Sequence, residues 1–196
     1  MKGVAREIAE RSNNGESTDL NLLTSTLTIK GAQFTMSEFK ELQADLQFFA
    51  KLSSNDATQQ STYAGLGLAK AAGDMIADKY ADKSEELSNA LKESLNRTVD
   101  EFSAVLQKNV AGLPSQHLAT FYIKAAETGL DAEKLFTGLD TSSKEATQQS
   151  YQEMRTKFSA MLDDYAKNMS GFGDSKNATL ASVDKQFNQI LDYIYA

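Results

Sequence analysis

Apolar residues at Tyr80, Leu87, Leu91, Leu95, Val99, Phe102 and Leu106 step by three, four or seven positions. That spacing returns to one side of an α-helix and is incompatible with the two-residue alternation of a half-buried strand. Nothing nearby interrupts it, because the chain of 196 residues contains a single proline, Pro114. Proline is the strongest helix breaker, so its scarcity permits long helices that glycine and polar clusters must end. An unbroken helix is expected from Asp56 to Val110, about 80 Å long at 1.5 Å per residue, stopping at Gly112-Leu113-Pro114.

A second pattern concerns organisation. Ser53-Ser54-Asn55-Asp56-Ala57-Thr58-Gln59-Gln60-Ser61 returns as Ser142-Ser143-Lys144-Glu145-Ala146-Thr147-Gln148-Gln149-Ser150, followed by Tyr63 and Tyr151 respectively. Other landmarks keep their order around it. Ile29-Lys30 answers Ile123-Lys124, Asp78-Lys79-Tyr80-Ala81 answers Asp163-Asp164-Tyr165-Ala166, and Val99-Asp100 answers Val183-Asp184. The expected architecture is therefore all-α, an elongated helical bundle, with a tandem duplication of a three-helix unit as the organisation the echo suggests. Residues 1–19 read as an N-terminal tail and linker, 20–112 as the first repeat and 113–196 as the second.

Within the first copy, helices are expected at Leu20–Ala32 and Ser37–Leu52 before the long third one, although Thr24–Ile29 is also compatible with a strand. In the second copy the counterparts are Ser115–Glu127 and Asp131–Leu139. Ser37 and Asp131 are candidate N-caps, since a short side-chain oxygen accepts from a free helix N–H. Gly171 and Gly173 should fold the last long helix into a hairpin with a return arm near Thr179–Tyr195. Gly65, Gly67 and Gly73 are places where the first long helix could bend. The echo reads best as two equivalent helix starts, Ser53/Ser54 and Ser142/Ser143 supplying caps ahead of acidic Asp56 and Glu145.

Charge and composition exclude several functions. The formal net charge is −7, which repels phosphate backbones and anionic membrane surfaces. Lys2, Arg6 and Arg11 give the first residues only a mild positive bias. The chain has no cysteine, so disulfides and thiolate metal sites are impossible. The first ten residues lack the apolar block of a secretory signal, and no segment reaches the roughly 18–20 apolar residues that span a bilayer. The expectation is a cytoplasmic chain, one exported without a cleaved signal, or one that begins inside a longer polypeptide. In lacking tryptophan and nearly lacking proline, the composition is similar to that of exported helical filament and translocator proteins.

Motifs for chemistry are weak. His117 is the only histidine; it cannot provide an imidazole pair for a metal or the two Glu-x-x-His motifs of a di-iron bundle. It could act as a base, but no nucleophile motif accompanies it. Asp74, Asp78 and Asp82 share a helix face without any calcium-loop pattern, and with Lys70, Lys79 and Lys83 nearby they read as a solvated charged face. Gly65-Leu66-Gly67 lacks the third glycine and preceding strand of a phosphate cradle. Three N-x-[ST] triplets begin at Asn96, Asn168 and Asn177, a pattern common by chance. No metal or cofactor is expected, and the chain is not expected to be an enzyme.

Two functional classes follow. The leading expectation is a non-enzymatic helical protein-interaction or structural protein, an exported bacterial or phage-type host-interaction factor being its specific form. It would bind a protein partner or itself through the helix Asp74–Val110, with Tyr80, Leu87, Leu91 and Leu95 as contact residues. The alternative is a membrane-active toxin or translocator subunit. It is motivated by the small residues of Ala64–Gly73, which allow close helix approach, although Lys70 and Asp74 limit their apolar length.

Overall fold

The computed structural model describes residues 26–52, 59–111, 116–167 and 173–196. Among them six helices pack around buried apolar side chains, accompanied by one two-stranded antiparallel sheet. The all-α expectation holds. Strands β1 (Thr26–Ile29) and β2 (Ala32–Thr35) precede α1 (Met36–Leu52), α2 (Gln59–Lys79), α3 (Glu85–Ala111), α4 (Gln116–Thr137), α5 (Lys144–Lys167) and α6 (Gly173–Ile194). Three helices thus fall in each half of the sequence, and the echo leads into the middle one both times. Two compact units are assembled differently from those halves. One combines the described residues up to 51 with 73–98, and the other combines 52–72 with 99–196.

In the first unit, β1 and β2 form a hairpin whose register pairs Ile29 with Ala32. Lys30 and Gly31 make the turn with φ of 50° and 80°. Positive φ at both central residues suits the twist of a two-residue hairpin and favours glycine there. The strand at Thr24–Ile29 is borne out at Thr26–Ile29; a helix through Ala32 is not, because the left-handed pair at Lys30-Gly31 reverses the chain. Ile29, Ala32 and Phe34 are buried.

Helix α1 starts through a reciprocal cap. The Glu38 N–H donates to Thr35 Oγ1 at 3.2 Å, and the Thr35 N–H donates to Glu38 Oε1 at 3.1 Å. This is a capping box, with Thr35 rather than Ser37 as the cap. Phe39, Leu42, Phe49 and Leu52 form its buried face, and Asp45 lies among them at 1% exposure. A buried carboxylate requires partners. Asp45 Oδ2 accepts from Tyr80 Oη at 2.5 Å and from Lys79 Nζ at 3.2 Å.

The expected continuous helix is interrupted at Tyr80–Ser84. Main-chain bonds from the Lys83 and Ser84 N–H groups to the Tyr80 carbonyl close a turn there. Ser84 then caps α3, its Oγ accepting from the Leu87 N–H at 3.2 Å while donating to the Lys30 carbonyl at 2.6 Å. The sequence signal was a serine followed by Glu85-Glu86, an N-cap with an acidic first turn. It is easily overlooked where no glycine or proline marks the break.

The second unit holds most of the aromatic core. Phe136 meets Phe158 edge-on at 5.5 Å, and Tyr151 stacks on Phe187 at 3.7 Å with ring planes 12° apart. Helix α4 is unbroken, so the two segments expected at Ser115–Glu127 and Asp131–Leu139 are one, and Asp131 is not a cap. Gly129 does not end the helix; a Cβ there would strike the Tyr63 ring. One turn later, a Cβ at Gly67 would fall on the main chain of Glu133. These two glycines let α2 and α4 approach more closely than side chains would allow. Gly65, Gly67 and Gly73 accordingly sit within a continuous α2 rather than at a bend.

Helix α5 begins at the second copy of the echo. The Ala146 N–H donates to Ser143 Oγ at 3.0 Å, the cap expected from sequence. The first copy, Ser53 to Thr58, lies outside the described residues. Residues 168–172, between α5 and α6 and including Gly171, lie outside them as well; the return arm is observed as Gly173–Ile194.

Candidate interaction surface

The apolar stripe from Tyr80 to Leu106 divides in two. Tyr80, Leu87, Leu91 and Leu95 are 4%, 0%, 1% and 4% exposed. They are the packing face of α3 and the preceding turn inside the first unit, and their apolar area is used up there. The expected contact residues are thus core residues: periodicity marks an apolar face but does not say what covers it.

Farther along the same helix the stripe surfaces. Phe102 is 49% exposed and Val105 is 57% exposed. Both belong to the second unit. Here α3 turns Val99 and Ser103 inward instead, and Leu106 is half-buried. Phe102 and Val105 are three residues apart and so share one helix face. Exposed Glu101 and Lys108 lie along that side. Ile123 on α4 is the third large apolar side chain left open among the described residues, at 46%.

Beside buried Val99, polar side chains also bond this helix to its neighbours. Ser103 Oγ donates to Glu133 Oε2 at 2.9 Å, and Lys70 Nζ pairs with Asp100 at 2.5 Å. Glu133 is 8% exposed. Burial raises its carboxyl above the ordinary range, outweighing the bond from Ser103 and the charge of Lys70. Ser103 and Glu133 thereby tie α3 to α4 and hold the Phe102–Val105 side outward.

Other candidates resolve into structure. Asp78 pairs with Lys92 at 3.1 Å, and Asp74 accepts from Asn96 Nδ2 at 3.2 Å. Among the described residues no cluster of acidic or histidine side chains could hold a metal ion. His117 falls within α4, but its side chain lies outside the described part. Residues 64–73 are buried apart from Lys70, and no described helix is long and apolar enough to cross a membrane. The small-residue stretch is a helix-packing site.

The two echo tyrosines are both buried, at 0% for Tyr63 and 3% for Tyr151. Their hydroxyls differ. Tyr63 Oη has no hydrogen-bond partner among the described residues. Tyr151 Oη donates to Asp184 Oδ1 at 2.5 Å, and Arg155 grips the same carboxylate through Nε at 2.8 Å and Nη2 at 2.9 Å. Burial opposes ionisation of Asp184, but the bonds from Arg155 and Tyr151 outweigh it and hold its carboxyl below the usual range. Burial and the Asp184 carboxylate push the Tyr151 hydroxyl far up, so it keeps its proton at physiological pH.

No protein-family model matches the chain, and searches of curated proteins and of solved structures find no match either.

Proposed function

We propose that the chain is a non-enzymatic helical interaction protein that contacts a protein partner, or a second copy of itself, through the Phe102–Val105 face of α3. One observation carries this reading: a single apolar stripe is buried at Leu87, Leu91 and Leu95 and then exposed at Phe102 and Val105. Adjacent exposed apolar side chains on one helix are the usual anchors for helix-mediated recognition. The negative net charge points to a protein rather than a nucleic-acid partner. The exported, host-interacting form of this role has the composition as its support.

Sedimentation across a wide concentration range, with pull-down from candidate host extracts, tests the reading. Wild type should self-associate or retain a protein that Phe102→Ser/Val105→Ser loses, while both remain equally folded. A strict monomer with the same retained proteins in wild type and variant would refute it.

A further inference from the structure

A cleft of about 470 Å³ opens between α5 and α6 in the second unit. That is within the span of about 300–1,000 Å³ usual for ligand sites. Gln148 and Gln152 line it from α5, and Asn188 lines it from α6. All three are exposed, and none of their side-chain amides is bonded to another described residue. Gln148 belongs to the repeated Ala-Thr-Gln-Gln-Ser segment, and Gln152 follows one helical turn later on the same side.

The rest of the lining narrows the guest. Arg155 faces the cleft, but its charge is committed to Asp184 by two hydrogen bonds, so a free anion finds no uncompensated cation. Tyr151 and Phe187 are each 3% exposed and stack on each other, leaving no open aromatic face for a sugar ring. What remains is a neutral site whose free groups are primary amides, each with donors and an acceptor. Glycans and peptide main chains both present neutral donors and acceptors at regular spacing; with no aromatic face open for a sugar ring to stack on, the peptide main chain is the better match.

We propose that this cleft binds a short, uncharged peptide segment in extended form, its main-chain N–H and C=O groups paired with the Gln148, Gln152 and Asn188 amides. The site is separate from the Phe102–Val105 face and stands or falls independently of it.

The test uses the full ¹⁵N-labelled chain and three probes: a pool of end-capped tetrapeptides of uncharged residues, maltose, and sodium acetate. The peptide pool should shift the side-chain NH₂ signals of Gln148, Gln152 and Asn188 saturably; maltose and acetate should leave them in place. Gln148→Ala/Gln152→Ala should weaken peptide binding about tenfold, as expected for the loss of two modest hydrogen bonds. Asn188→Ala on the opposite helix gives a second, independent reading. Absence of saturable shifts at millimolar peptide would overturn the proposal. So would equal shifts from maltose or acetate, or unchanged peptide affinity in both variants with native-like spectra. Phe102→Ser/Val105→Ser should leave these shifts intact, which separates failure here from failure of the helix-face reading.

Discussion

Gly67→Ala is the sharpest perturbation of this fold. In an exposed helix the change would stabilise by roughly 0.5–1 kcal/mol, because alanine loses less backbone freedom. At Gly67 the new Cβ would lie 3.0 Å from the Glu133 Cα and 3.1 Å from its carbonyl carbon, and closer still to its oxygen. These are main-chain atoms within α4, so no side-chain rotation relieves the overlap. Relief requires α2 and α4 to separate, and that loosens the neighbouring contact of Tyr63 with Gly129. Overpacking of this kind costs about 1–3 kcal/mol. Offset by the propensity gain, the net loss should be roughly 1–2 kcal/mol, a fall in Tm of about 2–8 °C for a chain of this length. Urea unfolding followed by circular dichroism measures it. Gly138→Ala is the control: the nearest atoms to a Cβ there are 3.4 and 3.6 Å away, so its midpoint should hardly move. If Gly67→Ala raised the midpoint as a solvent-facing helix position would, the close crossing of α2 and α4 would be refuted.

Tyr80→Phe removes the 2.5 Å bond to buried Asp45 and should cost about 1–3 kcal/mol, read from the shift in urea midpoint; a neutral result would show that Asp45 does not depend on it. Glu133 has a folded-state pKa above its unfolded value of 4.5, so between those values the folded chain binds more protons and stability falls as pH rises. Relative to wild type, Glu133→Gln should therefore gain stability as pH is raised from 4.5 toward neutrality; parallel pH profiles of the two proteins would contradict this. Phe102→Ser/Val105→Ser should change unfolding free energy by no more than about 0.5 kcal/mol per site, as solvent-exposed positions do. A large loss would mean that the face is covered within the folded chain.

Much of the local structure was legible along the chain. Ser143 caps α5, Thr26–Ile29 is extended, Asp78 belongs to a solvated charged face, and Ala64–Gly73 packs tightly. The cap and the strand depend on near neighbours in sequence, and small or charged residues at helical spacing signal close approach or a solvated face whatever the partner. The errors have other causes. The Tyr80–Ser84 turn was missed because no glycine or proline marks it, and α4 was divided near Gly129 because glycine serves equally as a helix stop and as a place for another helix to come close. Only the presence of Tyr63 opposite Gly129 distinguishes the two uses. The contact residues were misplaced for a related reason. Tyr80, Leu87, Leu91 and Leu95 repeat at the same helical spacing as Phe102, and no property of the stripe itself separates covered from open members.

Helical content, most caps and the position of the apolar faces were set by the order of residues, since hydrogen bonds within a few residues and side-chain periodicity act locally. Which part of the α3 stripe is buried, where α2 meets α4, and which amides border the α5–α6 cleft were decided only on folding. Those outcomes depend on side chains far apart in sequence excluding water together, and burial of that kind is a property of the packed pair, not of either segment alone.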